Sequence, residues 1–156
     1  MERIVELDLG CVPNSAVSGP VLLQTDDATA LVFNATKLSD DGSYKDAGSA
    51  VVRFERCKVT RFGYPNDEAW YGIPRFQGLS YGIYEVLNSS WLAELDELNR
   101  YSFPDTPDSD ERHFLFLFHD SSFECIASDC AIELTHELWE NLWPLVYQEV
   151  LRYVAK

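Results

Sequence analysis

Hydrophobic positions along this chain recur mostly with a period of two, and with a helical period in only two segments. From Ile4 to Leu9, Val5, Leu7 and Leu9 alternate with Glu6 and Asp8, the pattern of a half-buried strand. GCVPNSAVSGP then breaks regular structure with Gly10, Pro13, Gly19 and Pro20. VLLQT and ALVFNATKL flank Asp26-Asp27 and read as a hairpin. SDDGSYKDAGS reads as a polar loop. Residues 50–60 read as one long strand, with Val52 and Phe54 inward and a bulge near Arg56-Cys57 where the alternation slips. YGIYEVL, HFLFLFH, SFECIA and CAIEL supply further strands.

The helical period appears first after Asn88, Ser89 and Ser90, whose side-chain oxygens suit a helix N-cap. Trp91, Leu95, Leu98 and Tyr101 then fall on one face, with Glu94, Asp96, Glu97 and Arg100 outside. It returns near the C-terminus, where Thr135 can cap and Trp139, Trp143, Val146, Val150 and Val154 form a stripe. Pro144 lacks an amide proton, so this helix either kinks there or restarts with Asn141 as cap and Pro144 in its first turn. Strands joined by tight turns are antiparallel. The expectation is a single α+β domain over residues 1–156. It has a mainly antiparallel sheet of about six to eight strands, one mid-chain helix and a C-terminal amphipathic helix.

Composition fits a packed domain. The chain has 156 residues, 46% of them hydrophobic and 13% aromatic, enough for a core without metals or disulfides. The longest apolar run, Phe114-Leu115-Phe116-Leu117-Phe118, is far short of the ~20 residues of a membrane span. The first residues carry Glu2, Arg3, Glu6 and Asp8 and do not resemble a secretory signal. A soluble cytoplasmic protein is expected. Cys11, Cys57, Cys125 and Cys130 form no CxxC and no zinc-type spacing, so they read as free thiols, with no cofactor implied.

Charge narrows the partners. The formal net charge is −14. That disfavours nucleic acid, whose binding releases counterions to Lys and Arg, and equally disfavours anionic membranes. From Tyr101 onward, eleven Asp and Glu residues face only Arg112, Arg152 and Lys156. Such a surface serves solubility, or draws in a basic protein partner.

Two stretches carry candidate chemistry. FHDSSFEC, residues 118–125, joins two strands. With Ser121-Ser122 as the turn, His119 faces Glu124 across the strands at about 5 Å between Cβ atoms. A carboxylate there would orient the imidazole as a general base, with Asp120 alongside. With Asp120-Ser121 as the turn, His119 loses Glu124, and the polar residues serve the turn itself. His113 and His119 stand about 20 Å apart along a strand, so they share no metal ion, and no metal site is expected. The second stretch, YPNDEAWYG, sets Asn66, Asp67 and Glu68 beside Tyr64, Trp70 and Tyr71. Polar groups among aromatics suit a recognition loop, or a turn whose rings fold back as a lid on the core. G-x-S-x-G, P-loop and GxGxxG motifs are not found.

FGYPNDEA, YGIYEVLNSSW and RHFLFLFHDSSFECIA together resemble a family of uncharacterised bacterial proteins of similar length, over roughly residues 61–127. The resemblance implies no established activity. The leading expectation is a non-enzymatic, immunity-like or regulatory binding module that holds a basic protein through its acidic surface and the 64–76 loop. The alternative is an acid–base hydrolase built on His119 and Glu124, with Asn66 or Asp67 contributing from that loop. A homo-oligomer burying the Trp139/Trp143 stripe is the third arrangement.

Overall fold

The computed structural model describes the backbone of residues 1–154 and the side chains of residues 1–152. The elements run in the order β1 (Arg3–Glu6), β2 (Val12–Pro13), β3 (Val21–Gln24), β4 (Thr29–Leu38), β5 (Tyr44–Glu55), β6 (Val59–Gly63), α1 (Asp67–Trp70), a 3-10 turn (Pro74–Phe76), β7 (Gly82–Leu87), α2 (Ser90–Ser102), β8 (Arg112–Leu117), β9 (Ser122–Ala127), β10 (Asp129–Thr135) and α3 (Trp139–Val154). The protein is α+β, and its strands form two five-stranded sheets. The first has the order β1-β7-β8-β9-β6. The second has the order β10-β5-β4-β2, with β3 also on β4. Every pairing is antiparallel.

The two sheets face each other across an aromatic core. Phe114, Phe116 and Phe118 alternate onto the inner face of the first sheet, with Phe123, Cys125 and Ala127 beside them. Leu31, Phe33, Ala50, Val52 and Phe54 meet them from the second sheet. Phe33 contacts Phe118 edge-on at 5.3 Å, and Phe54 contacts Phe116 at 5.8 Å. The intervening Leu115 and Leu117 are buried too, because the outer face of this sheet is also covered. A strand buried on both sides needs a continuous apolar run, which explains FLFLF. Each fully buried phenylalanine contributes about 1.5–3 kcal/mol of transfer free energy.

The sheets join at one corner. Residues 50–60 are not one strand, because β5 ends at Glu55 and β6 begins at Val59 in the other sheet. Arg56, in the left-handed region at φ 48°, makes the turn. β9 and β10 cross at the same place, tied by Ser128 N–H to the Glu55 carbonyl and Lys58 N–H to the Ile126 carbonyl. The polar stretch after Leu38 is also shorter than expected. A tight turn over residues 39–43 leads straight into β5, which begins at Tyr44.

The helices differ from their sequence patterns in instructive ways. α2 buries only Trp91 fully, with Leu95 half-buried and Leu98 and Tyr101 exposed, so its stripe is used in its first half alone. α3 is a single helix that runs through Pro144 and does not restart at Asn141. Leu142, Val146 and Val150 pack on Ala30, Val32 and Val51 of the second sheet, with Trp143 alongside. Trp139 meets Trp143 at 4.9 Å. Trp143 therefore serves its own sheet, and the exposed apolar residues here are Leu138, Trp139, Leu145 and Tyr147. The Val154 side chain lies outside the described residues. No helix among them is long and apolar enough to cross a membrane.

Candidate functional site

The outer face of the first sheet is covered by the 64–81 segment and the start of α2, and polar groups fasten both. Trp70 and Phe76 bury against Tyr84, Val86, Leu115 and Leu117. Asn66 caps α1 by accepting the Ala69 N–H. Asp67, buried beside it, accepts the Glu68 N–H on one oxygen and the Tyr81 hydroxyl on the other, at 2.8 and 2.7 Å. Its own N–H donates to the His119 carbonyl at 3.2 Å, which ties the segment to the β8–β9 tip. The Asp67 carboxylate, hydrogen-bonded to the Tyr81 hydroxyl, pushes that phenol up to about 12.

That tip does not have the expected geometry. Phe118 N–H donates to the Ser121 carbonyl and Leu117 pairs with Ser122, so His119 and Asp120 form the turn. Glu124 lies opposite Leu115, not His119. The expected and observed registers differ by an even number of residues. Both leave the same phenylalanines inward, so alternation cannot choose between them. His119 instead has Nδ1 3.2 Å from Asp120 Oδ1 and 3.5 Å from Asp67 Oδ2, and its ring stacks on Tyr81 with centroids 6.0 Å apart.

Glu124 belongs to a different histidine. His113 Nε2 lies 2.9 Å from Glu124 Oε2, and Ser89 Oγ lies 2.8 Å from His113 Nδ1. Arg75 reaches from the covering segment to the other Glu124 oxygen at 2.7 Å. Ser89, His113 and Glu124 are all buried. Trp91 covers His113 edge-on at 5.2 Å, and the Arg61 guanidinium lies 3.8 Å over Trp91. Burial works to raise the Glu124 carboxyl, but the His113 hydrogen bond and the Arg75 charge outweigh it and hold it below the usual carboxylate range. Glu124 is therefore an ionised acceptor, and His113 Nε2 carries the proton. The Ser89 hydroxyl receives the Leu92 N–H and shares its second hydrogen bond with His113 Nδ1; in the tautomer with hydrogen on Nε2 alone, Nδ1 accepts and the Ser89 proton points to it.

No family model, curated protein or solved structure matches this chain. The geometry alone therefore carries the functional argument. Of the loop residues, Asn66, Asp67 and Trp70 hold the segment down. Tyr64 and Tyr71 are 83% and 67% exposed, and Glu68 is exposed as well. Of the three hairpin residues, His119 and Asp120 sit together at the surface while Glu124 is sealed beneath the segment. Burial pushes the Cys125 thiol well up, while the hydrogen bond from Cys125 draws the half-buried Cys57 down to about 7. Ser89 and His113 escape sequence reasoning. Asn88-Ser89-Ser90 suffices as a cap motif, and His113 joins Glu124 only once the turn is placed at His119-Asp120.

Proposed function

We propose that this chain is an acidic recognition module that holds a basic protein partner through a rigid patch made of the 64–71 region and the β8–β9 tip. The observation that carries the reading is the division of labour in the 64–76 loop. Tyr64 and Tyr71 stand in solvent on a base that Trp70, Phe76 and Asp67 anchor. Glu68 and Asp120 place carboxylates on the same loop and the adjoining tip. Rigid aromatic side chains bind at little entropic cost, and their faces attract Lys and Arg, as do the carboxylates. The net charge of −14 steers such a partner toward the protein and turns nucleic acid away. Four free cysteines fit a reducing compartment, consistent with a cytoplasmic setting of the immunity-like or regulatory kind.

Fluorescence anisotropy on matched Lys/Arg-rich and Ser/Gln-rich peptides tests this. Basic peptides are expected to bind, to weaken as salt rises from about 0.05 to 0.5 M, and to lose about tenfold or more in affinity with the Tyr64→Ala/Tyr71→Ala variant. Equal binding of both peptide classes, or no effect of the double substitution, would remove the reading. The acid–base alternative loses its His119–Glu124 couple. His119 keeps Asp67 and Asp120, a set that also pins the loop.

A further inference from the structure

The row Ser89–His113–Glu124–Arg75 is more than the α2 cap needs. Ser89 alone satisfies the Leu92 N–H, and Glu2 accepts from both the Ser90 N–H and hydroxyl. Behind Ser89 the chain nevertheless buries an imidazole and a carboxylate on an otherwise apolar sheet face, an arrangement that hydrophobic residues could replace without loss of stability. The order is hydroxyl, imidazole, ionised carboxylate, each within 3 Å of the next, and in the tautomer with hydrogen on Nε2 alone the Ser89 proton is directed at Nδ1. That is the functional content of a nucleophile, its base and the group that orients the base. Here Nδ1 faces the hydroxyl and Nε2 the carboxylate. Either ring nitrogen can take the proton, provided the other carries hydrogen toward the acid.

A second observation lies beside the row. A cleft of about 460 Å³ between α2 and the adjoining ends of β7 and β8 is lined by both Ser89 and His113. Val86, Leu87 and Leu92 give it an apolar wall. Its carboxylates outnumber its cations. Glu85 is matched by Arg112 and Asp108 by Arg100, but among the described residues Asp96 and Glu97 have no basic partner. Glu111, also lining the cleft, pairs with Lys58 through one oxygen and buries the other, Oε2.

We propose that this cleft is a hydrolytic site for a carboxylic ester bearing an ammonium or guanidinium group, with Ser89 as nucleophile and His113 as base. Ser89 Oγ bonds to the ester carbonyl carbon as its proton passes to His113 Nδ1. The carbon–alkoxide bond then breaks, and the leaving alcohol departs with that proton. Water adds to the acyl-serine, giving a proton to His113, which returns it to Ser89 Oγ as the carboxylic acid leaves. Glu124, a positioning residue, holds Nε2–H and balances the imidazolium. Arg75 in turn fixes Glu124. The carboxylates of Asp96, which also accepts the Ser109 N–H, and Glu97 receive the cationic group.

The test is to treat the intact protein with a fluorophosphonate probe, map the labelled peptide, and assay p-nitrophenyl esters of Nα-acetyl-lysine and of Nα-acetyl-norleucine. The site predicts stoichiometric label on Ser89 and faster turnover of the lysine ester. Ser89→Ala is expected to abolish both. Glu124→Gln is expected to lower kcat by about 10⁴-fold, as when a base loses its tautomer-fixing acid, with KM unchanged. Glu97→Gln is expected to raise KM for the lysine ester by up to about fivefold, the range of an exposed ion pair, with kcat unchanged. Wild-type protein that keeps its far-UV circular dichroism and is not labelled at Ser89 by millimolar probe would overturn the proposal and leave the row a buried helix cap. Label confined to another residue would overturn it equally.

Discussion

The two sheets share one aromatic core but are covered on their outer faces by opposite means. Over the second sheet lies a regular helix held by Leu142, Val146 and Val150, with one ionic contact at its margin, Arg53 to Glu149. Over the first lie a largely irregular segment held by Asp67, Tyr81 and Arg75 and, beside it, the start of α2, whose Trp91 covers His113. Apolar packing fixes how much surface is covered and tolerates small shifts of the covering element. Hydrogen bonds to buried charges fix position, because any shift leaves a polar group unpaired in a dry setting. The polar cover is thus the one able to hold surface side chains such as Tyr64 and Tyr71 in place. It is also the one more exposed to damage by a single change.

The largest expected effect is on the polar side. Glu124→Ala strands Arg75 and His113 and is expected to cost about 3–5 kcal/mol, read by urea unfolding. Replacing His113 and Glu124 together by leucine should recover most of that loss, since no buried charge remains in the row. A double variant as unstable as the single one would break the comparison. Acid sharpens the contrast. The folded Glu124 carboxyl is held below its usual range. Its contribution is therefore complete above the unfolded value of about 4.3 and is lost as pH falls through the lower folded value. The wild type should lose more stability below that pH than the double-leucine variant. Next comes the apolar side. Leu142→Ala should cost about 2–5 kcal/mol, with little dependence on pH or salt. The smallest effect belongs to Arg53→Met. Its side chain is 36% exposed, so loss of the Glu149 and Glu133 contacts should cost about 1 kcal/mol or less and fade in high salt.

What the sequence reveals of this fold follows the range of the interactions. The FLFLF strand, the 21–38 hairpin and the presence of α3 are local patterns, and period alone exposes them, although the buried face of α3 uses Leu142 and leaves Trp139 exposed. The split of residues 50–60 between two sheets depends on the Arg56 turn, which resembles a bulge when only alternation is visible. The exposure of Leu98 and Tyr101 reflects where the first sheet ends under α2, and no property of the helix itself marks that edge. The polar row is least legible. Arg75 and Glu124 are 49 residues apart and Ser89 and His113 are 24 apart. Each residue also has an ordinary local role as loop, strand or cap. Only the loop's split character was open from composition. Its aromatics divide between lid, in Trp70 and Phe76, and surface, in Tyr64 and Tyr71.

The account stands on the 64–81 segment being a fixed part of the first sheet, although little of it is regular structure. Hydrogen–deuterium exchange of the amides of Asp67, Trp70, Ile73, Phe76 and Leu79, each bonded to a named carbonyl, tests this most directly. Rates at least about 100-fold below those of an unstructured chain are expected at all five, accelerating together in Glu124→Ala. Exchange at unstructured rates in the wild type would contradict the account, because Tyr64 and Tyr71 would then stand on a moving base.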